Sequence, residues 1–144
     1  MSKPNELAAT IEFARKLHGH VGPFLVIGLR MGIAAKKALK VSEAECTLLK
    51  AHVVVPLHTP FSCLLDGIQV ATTCTVGNQR LQIENADEIQ ATFTKQKQPK
   101  TVKITIAPCL SEQLKQKQAQ NQLTEEYALE IADMPENQLF IIIL

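Results

Sequence analysis

Aromatic residues are scarce in this sequence: they make up 4% of it, and tryptophan is absent. Few side chains are therefore available on which nucleic-acid bases could stack. A strong charge of either sign is also lacking, since 15 basic residues stand against 14 acidic ones and the net charge is +1. Without a positive field, neither nucleic acids nor anionic membrane surfaces are expected as partners.

The sequence also lacks a CxxC pair, the cysteine spacing typical of zinc knuckles and ribbons. The N-terminus has no basic region followed by an apolar signal core, so we expect a cytoplasmic protein. In that compartment its four cysteines should be thiols rather than disulfides. These are Cys46, Cys63, Cys74 and Cys109. The chain, 144 residues long and 46% hydrophobic, is the size of a single domain over residues 1–144, which needs no metal to form a core.

Two helices are predicted near the N-terminus. Residues 5–18 carry apolar side chains at spacings of three and four, and Gly19 follows where a helix would end. Pro23 suits the first turn of a second helix, residues 24–39. Arg30 and two lysines leave its apolar stretch too short to span a membrane, so we interpret it as a buried core helix. Two glycines four residues apart should allow a neighbour to approach its backbone closely: Gly28 and Gly32.

The remaining patterns predict an α+β domain with helices packed on one face of a mixed, mostly antiparallel sheet. Thr59 and Pro60 suit the start of a third helix. The alternating segments around residues 85–87 predict a β-hairpin. The Gln/Lys-rich segment 111–122 is either a helix or a loop. Strands are predicted at residues 46–57, 79–85, 88–94 and 100–107, with a last, buried strand at 138–144.

Two of the four histidines, His18 and His20, lie one glycine apart. In an extended stretch, residues two apart point the same way, so both rings could face one pocket or one metal ion. Alternatively, His18 caps the end of the first helix, where a cationic ring is favoured. On the pair alone, the capping role is the simpler interpretation.

Cys63 should lie in the first turn of the third helix, where the helix dipole and free N–H groups lower the pKa of a thiol. It is a candidate ligand or nucleophile, or an ordinary core residue. Asp66 follows on the same side of the helix, and His58 lies next to its start. Cys74 should lie about 16 Å along the axis from Cys63, too far for both to bind one ion.

Four segments, taken in order, resemble the FmdE family, which is named after a component of formylmethanofuran dehydrogenase: "HGHVGP", "GLRMGIAA", "CLLDGIQVATTCTVGN" and "LQIENADEIQATF". The resemblance covers roughly residues 10–95, and the combination is more specific than any one motif. It implies an α+β core, often dimeric, with a metal-binding or catalytic pocket. The residues that match the family's motifs are His18, His20, Cys63, Asp66, Gln69, Cys74 and Thr75.

From this resemblance we expect a pocket that holds zinc or another transition metal through His18, His20 and Cys63. If the pocket is catalytic, Cys63, His20 and Asp66 are the expected catalytic residues. The other matched residues are the expected cofactor contacts: Gln69, Cys74 and Thr75. Alternatively, the protein is a non-enzymatic accessory module that delivers a metal or metallocofactor to an oxidoreductase.

One departure from the family pattern affects the ligand set. Gly22 stands where the family normally has a cysteine, so a structural subunit with a degenerate site is a further alternative. The cysteine-rich zinc-finger extension of some members is also absent, which indicates the core domain alone. The apolar helix 24–39 and the "FIIIL" terminus predict a homodimer.

Overall fold

The computed structural model describes residues 4–97 and 99–144. The helices of this part of the chain are α1 (Pro4–His18), α2 (Pro23–Ala38), α3 (Cys63–Thr72), α4 (Pro108–Ala119), α5 (Glu125–Asp133) and α6 (Glu136–Leu139), with a 3₁₀ helix at Glu43–Leu48. The strands are β1 (Leu49–Val55), β2 (Leu81–Asn85), β3 (Gln90–Lys95), β4 (Lys100–Ile106) and β5 (Phe140–Ile143). The predicted α+β class is confirmed.

The five strands form one mixed sheet in the order β2-β1-β3-β4-β5. Strands β1 and β2 are parallel, with α3 between them in the chain, and all other neighbours are antiparallel. The predicted hairpin between residues 79–85 and 88–94 is wrong, because β2 and β3 lie on opposite sides of β1. Alternation identifies a strand but not its neighbour, and the apolar β1 takes the position at which both its edges are paired. The hairpin is formed by β3 and β4 instead.

One face of the sheet contacts the helices. Alternate residues of β1 are buried there, from Leu49 to Val55, together with Phe93 of β3 and Ile104 of β4. Helix α2 lies between α3 and α5 and is buried along most of its length. The Arg30 guanidinium on α2 donates to the carbonyls of Ile131, Ala132 and Met134 at 2.6–3.0 Å, around the end of α5. The charge within this apolar helix therefore caps a neighbouring helix end.

Helices α2 and α3 approach each other backbone to backbone. A Cβ atom on Gly28 would collide with the Leu64 carbonyl, and one on Gly67 would collide with the Leu25 carbonyl. A Cβ atom on Gly32 would lie 2.5 Å from the Cβ of Ala71. The predicted close approach at Gly28 and Gly32 is thus confirmed, and Gly67 supplies the matching gap on α3.

Two predictions differ from the structure, and a third, which left a helix or a loop open, is settled as a helix. Helix α3 begins at Cys63 rather than at Thr59, because residues 59–62 form turns in which the Cys63 N–H already donates to the Pro60 carbonyl at 3.2 Å. The Gln/Lys-rich segment is the helix α4. The last strand, β5, is an edge strand rather than a buried one, with Ile141 and Ile143 exposed. None of the described helices is long and apolar enough to cross a membrane.

Candidate functional site

The turn between α1 and α2 brings the two histidines together. His18 is the last residue of α1, and Gly19 reverses the chain with a φ of +100° that favours glycine. The His20 ring folds back beside that of His18, with the ring centroids 4.7 Å apart and the planes tilted by 40°. The doublet is therefore both the end of a helix and a pair of adjacent imidazoles.

Asp66 on α3 binds the first of these imidazoles. The Nδ1 atom of His18 lies 2.6 Å from the Oδ2 atom of Asp66. The other carboxylate oxygen of Asp66 accepts a hydrogen bond of 3.1 Å from the Nε2 amide of Gln69. Three residues matched by the resemblance thus form one connected group across two helices.

The second ring nitrogen of His18, Nε2, has no hydrogen-bond partner among the described residues. Its Nε2 atom is buried, and the described part of the chain offers it no hydrogen bond. A buried polar atom without a partner costs about 1–3 kcal/mol. In a neutral imidazole, a carboxylate at this distance favours the tautomer with the proton at Nδ1, which leaves a lone pair on Nε2. This carboxylate–imidazole arrangement is typical of a histidine that binds a metal ion.

His20 is exposed, and the space beside its ring is open on the side of Gly22. A Cβ atom placed on Gly22 would lie 3.8 Å from the Nε2 atom of His20 and would meet no backbone. Any side chain at this position would therefore begin next to the His20 ring. The position at which the resemblance implies a cysteine is thus part of the same site.

Cys63 does not have the lowered pKa that its position in the sequence predicts. Burial raises the pKa of this thiol, and the nearby Asp66 carboxylate raises it further, while its own backbone N–H lowers it. The N–H groups of Cys63, Leu64 and Leu65 already donate to carbonyls of the preceding turn at 3.0–3.2 Å. Few backbone donors therefore remain to stabilise a thiolate, and the prediction of a lowered pKa is wrong.

The three predicted metal ligands do not form a complete set. His18 and His20 are adjacent, but within residues 4–97 and 99–144 no group of three His, Cys, Asp or Glu side chains is placed to hold a metal ion. These two adjacent imidazoles are fewer than the four ligands that a closed structural zinc site needs. Cys63 lies one turn before Asp66 on α3 and is half-buried.

Cys74 and Thr75 belong to a different cluster, in the loop after α3. The Cys74 side chain is buried, and its thiol donates to the Leu49 carbonyl at 3.2 Å. Thr75 and Asn78 exchange hydrogen bonds within the loop. Arg80, which the sequence did not single out, organises this cluster by donating to the carbonyls of Cys46, Leu49 and Thr73. These contacts stabilise the loop, and none joins it to the His18–Asp66 pair.

An aromatic cluster of Phe24, Phe61 and His58 was not predicted from the sequence. Phe24 and Phe61 pack edge to face with centroids 5.2 Å apart, and His58 packs on Phe61 at 5.1 Å. The two phenylalanines are far apart in the chain, so no local pattern connects them. The signal in the sequence that could have identified them is their position next to two of the matched motifs, since Phe24 follows Gly22 and Phe61 precedes Cys63.

Comparisons with known proteins give a family and a relative for this chain. The family model described as "FmdE, Molybdenum formylmethanofuran dehydrogenase operon" matches residues 17–141. A probable S-adenosyl-L-methionine-binding protein of Archaeoglobus fulgidus is 32% identical over 93 residues, which are 65% of this chain and 25% of the relative. The chain thus spans about a quarter of that relative's length.

Proposed function

This chain belongs to the FmdE family, and we propose that the adjacent imidazoles of His18 and His20 bind a transition-metal ion, with zinc as the first candidate. The observation that carries the proposal is the buried Nε2 atom of His18, which has no partner among the described residues and is backed by Asp66 on the opposite side of the ring. Imidazole nitrogen suits zinc and the neighbouring transition metals.

Each residue of the group has a distinct task in this proposal. His18 and His20 would hold the ion, and Asp66 orients the His18 ring and keeps its proton at Nδ1. Gln69 holds the Asp66 carboxylate in turn. A bound ion of this kind would supply Lewis-acid chemistry at a position that its few protein ligands leave open. Cys63 is a further ligand or a nucleophile if its thiol is deprotonated.

Titration of untagged, metal-stripped protein with Co²⁺ and Zn²⁺ tests the proposal. We expect about one ion per chain, with Co²⁺ absorption bands that report imidazole ligands. His18→Gln should abolish this binding, whereas His52→Gln should leave it unchanged, because His52 lies on the sheet next to Glu84. Absence of binding to the unaltered protein, or equal loss in both variants, would refute it.

A gain of affinity in Gly22→Cys separates a working open site from a degenerate one. The new thiolate would begin next to the His20 ring, where a third ligand is missing. If the site binds metal through the two imidazoles, Gly22→Cys should tighten Zn²⁺ binding by at least about tenfold, while Gly22→Ser should not. In a degenerate site, neither substitution would change the affinity for Zn²⁺.

The function of the protein has three candidate forms. The protein is a metal-dependent enzyme with Cys63, His20 and Asp66 as catalytic residues, an accessory module that delivers a metal or metallocofactor to an oxidoreductase, or a structural subunit with a degenerate site. The family's link to a molybdenum enzyme operon supports an oxidoreductase partner for the second form. Turnover of small molecules by the loaded protein identifies the first form, and transfer of the ion to an apo-oxidoreductase identifies the second.

Two other proposals concern partners and ligands. A homodimer remains our expectation, although α2, which suggested it, is buried within the chain. The exposed edge strand β5 supports it better. The ligand in the name of the Archaeoglobus relative is not part of our proposal, since three quarters of that protein lie outside the matched part.

A further inference from the structure

A cavity of about 460 Å³ lies at one end of the sheet, apart from the two imidazoles. It is bounded by Pro56 after β1, Asp87 after β2, the end of β4 at Thr105 and Ile106, and one side of α4. This volume is within the range of pockets that bind small molecules in proteins.

The topology favours a ligand at this place. Strands β1 and β2 are the parallel pair of the sheet, and their carboxyl ends both face the cavity. The two ends are joined, because the Leu57 N–H donates to the Asn85 side-chain oxygen at 2.9 Å. In sheets with parallel strands and a helical crossover, the crevice beyond the carboxyl ends is where ligands bind.

The inner wall of the cavity is apolar and aromatic. Phe24 is buried and Phe61 half-buried, and their edge-to-face packing fixes both rings. Ile89, Ile106 and Leu114 complete the wall. Such a wall fits a flat ring, which gains both apolar contact and favourable ring–ring geometry.

The polar part of the lining carries more negative than positive charge. Asp87 and Glu88 are exposed carboxylates in the connection from β2 to β3, and Lys115 on α4 is the cation among the described lining residues. Two carboxylates against one ammonium group leave the acidic and basic side chains of this described lining with an excess of negative charge. A positive group on the ligand is therefore favoured by the carboxylates and by the aromatic rings.

We propose that this cavity is a binding site for a small molecule that combines an aromatic ring with a positive charge. The ring lies against Phe24 and Phe61, and the cationic group faces Asp87 and Glu88. The proposal does not depend on the metal, since its residues are different from those of the His18–Asp66 group. It adds a second ligand site to the domain.

Three indole probes of similar size test both parts of the proposal: tryptamine, which is cationic, tryptophol, which is neutral, and indole-3-acetate, which is anionic. Because the protein has no tryptophan, indole fluorescence reports the probe alone. We expect saturable binding, with tryptamine at least about tenfold tighter than indole-3-acetate. The difference should shrink as salt is added.

Variants locate the binding. Glu88→Gln should weaken the binding of tryptamine severalfold and leave that of tryptophol unchanged. Glu112→Gln, on α4 outside the cavity lining, should change the binding of neither probe. Phe61→Ala should weaken all three probes. If Phe61→Ala does not fold, the relative affinities of the three probes and the effect of Glu88→Gln still test the proposal. No saturable binding, an anionic probe that binds as tightly as the cationic one, or equal effects of the two glutamate variants would overturn the proposal.

Discussion

His18 shows how one side chain acquires its role from contacts outside its own helix. Its Nδ1 atom is fixed by Asp66, which lies 48 residues away, and its Nε2 atom is left buried without a partner in the described chain. The capping role that its position suggests does not explain either contact. A histidine held in this way is prepared to accept a metal ion or a proton at one defined atom.

The thiol of Cys63 provides a test of the charge at Asp66. We predict that Asp66→Asn lowers the Cys63 pKa towards its ordinary value, because the carboxylate raises it, while burial continues to oppose ionisation. The alkylation rate of Cys63 at mildly alkaline pH should therefore rise severalfold, as measured by peptide mass spectrometry on metal-free protein.

Glu43→Gln is the matched control for this experiment, since Glu43 pairs with Lys36 elsewhere on the surface. In the unaltered protein, the exposed Cys109 should be alkylated before Cys63, because Cys63 is half-buried and its thiol has a raised pKa. An unchanged Cys63 rate in Asp66→Asn would mean that Asp66 does not act on this thiol.

At the residue scale, the sequence predicted which side chains lie together better than it predicted the pKa of the Cys63 thiol. The motif resemblance selected His18, His20, Asp66 and Gln69, which the structure places together. The raised pKa of Cys63 could not be predicted, because it depends on burial and on donors that the turn at residues 59–62 uses. The spacing of residues along a chain predicts neither the burial of a thiol nor the hydrogen bonds of the backbone around it.

The contact between α2 and α3 holds the helix that carries Asp66. We predict that Gly28→Ala lowers the free energy of unfolding by about 1–3 kcal/mol or more, since the new methyl group would meet the Leu64 carbonyl. Urea denaturation measures this loss. Gly77→Ala is the control, because a Cβ atom there has its nearest neighbour at 3.9 Å. Equal stability of the two variants would contradict the backbone contact.

Helix α1 is joined to α5 by a charged pair that depends on pH. Arg15 binds both carboxylate oxygens of Glu125, at 2.8 and 3.0 Å, and holds the pKa of Glu125 below its usual range. A carboxyl group with a lowered pKa in the folded state stabilises the fold above the pKa of the unfolded chain. This contribution is lost as the pH falls through the folded-state pKa.

We therefore predict that Glu125→Gln lowers the Tm slightly near pH 7 and less at acidic pH, because Glu125 then becomes protonated in the folded state as well. Glu126→Gln, in the same first turn of α5, controls for the helix dipole. Differential scanning calorimetry at the two pH values measures the effect. An equal loss of Tm at both would show that the charge is not responsible.

Elements were predicted better than their pairing. The helices at residues 5–18 and 24–39 and the apolar strand before Pro56 follow from periodicity, and the structure contains all three. The β2–β3 hairpin failed because both strands pair with β1, a choice decided by burial in the whole sheet. The glycines showed that α2 needs a close neighbour, but not that this neighbour is α3.

On the scale of the whole molecule, the exposed edge of the sheet determines the expected assembly. Strand β5 is short and apolar, and Ile141 and Ile143 are 44% and 55% exposed. The unpaired N–H and C=O groups of such an edge offer a template on which another chain can pair. We predict a homodimer by light scattering at micromolar concentration, which Ile143→Lys should convert to a monomer. Leu129→Lys, at an exposed leucine on α5, should leave the dimer intact. A monomeric unaltered protein would refute the prediction.

The contact between α2 and α3 leaves no room even for a methyl group at Gly28 or Gly67, whereas the cavity beyond β1 and β2 has a volume of about 460 Å³. Hydrostatic pressure favours states in which internal voids are lost, so its effect follows the volume that each region can give up. The helix pair has almost no such volume to give up and is therefore among the least compressible parts of the molecule. The cavity is open to solvent, so pressure should change its hydration rather than eliminate a void.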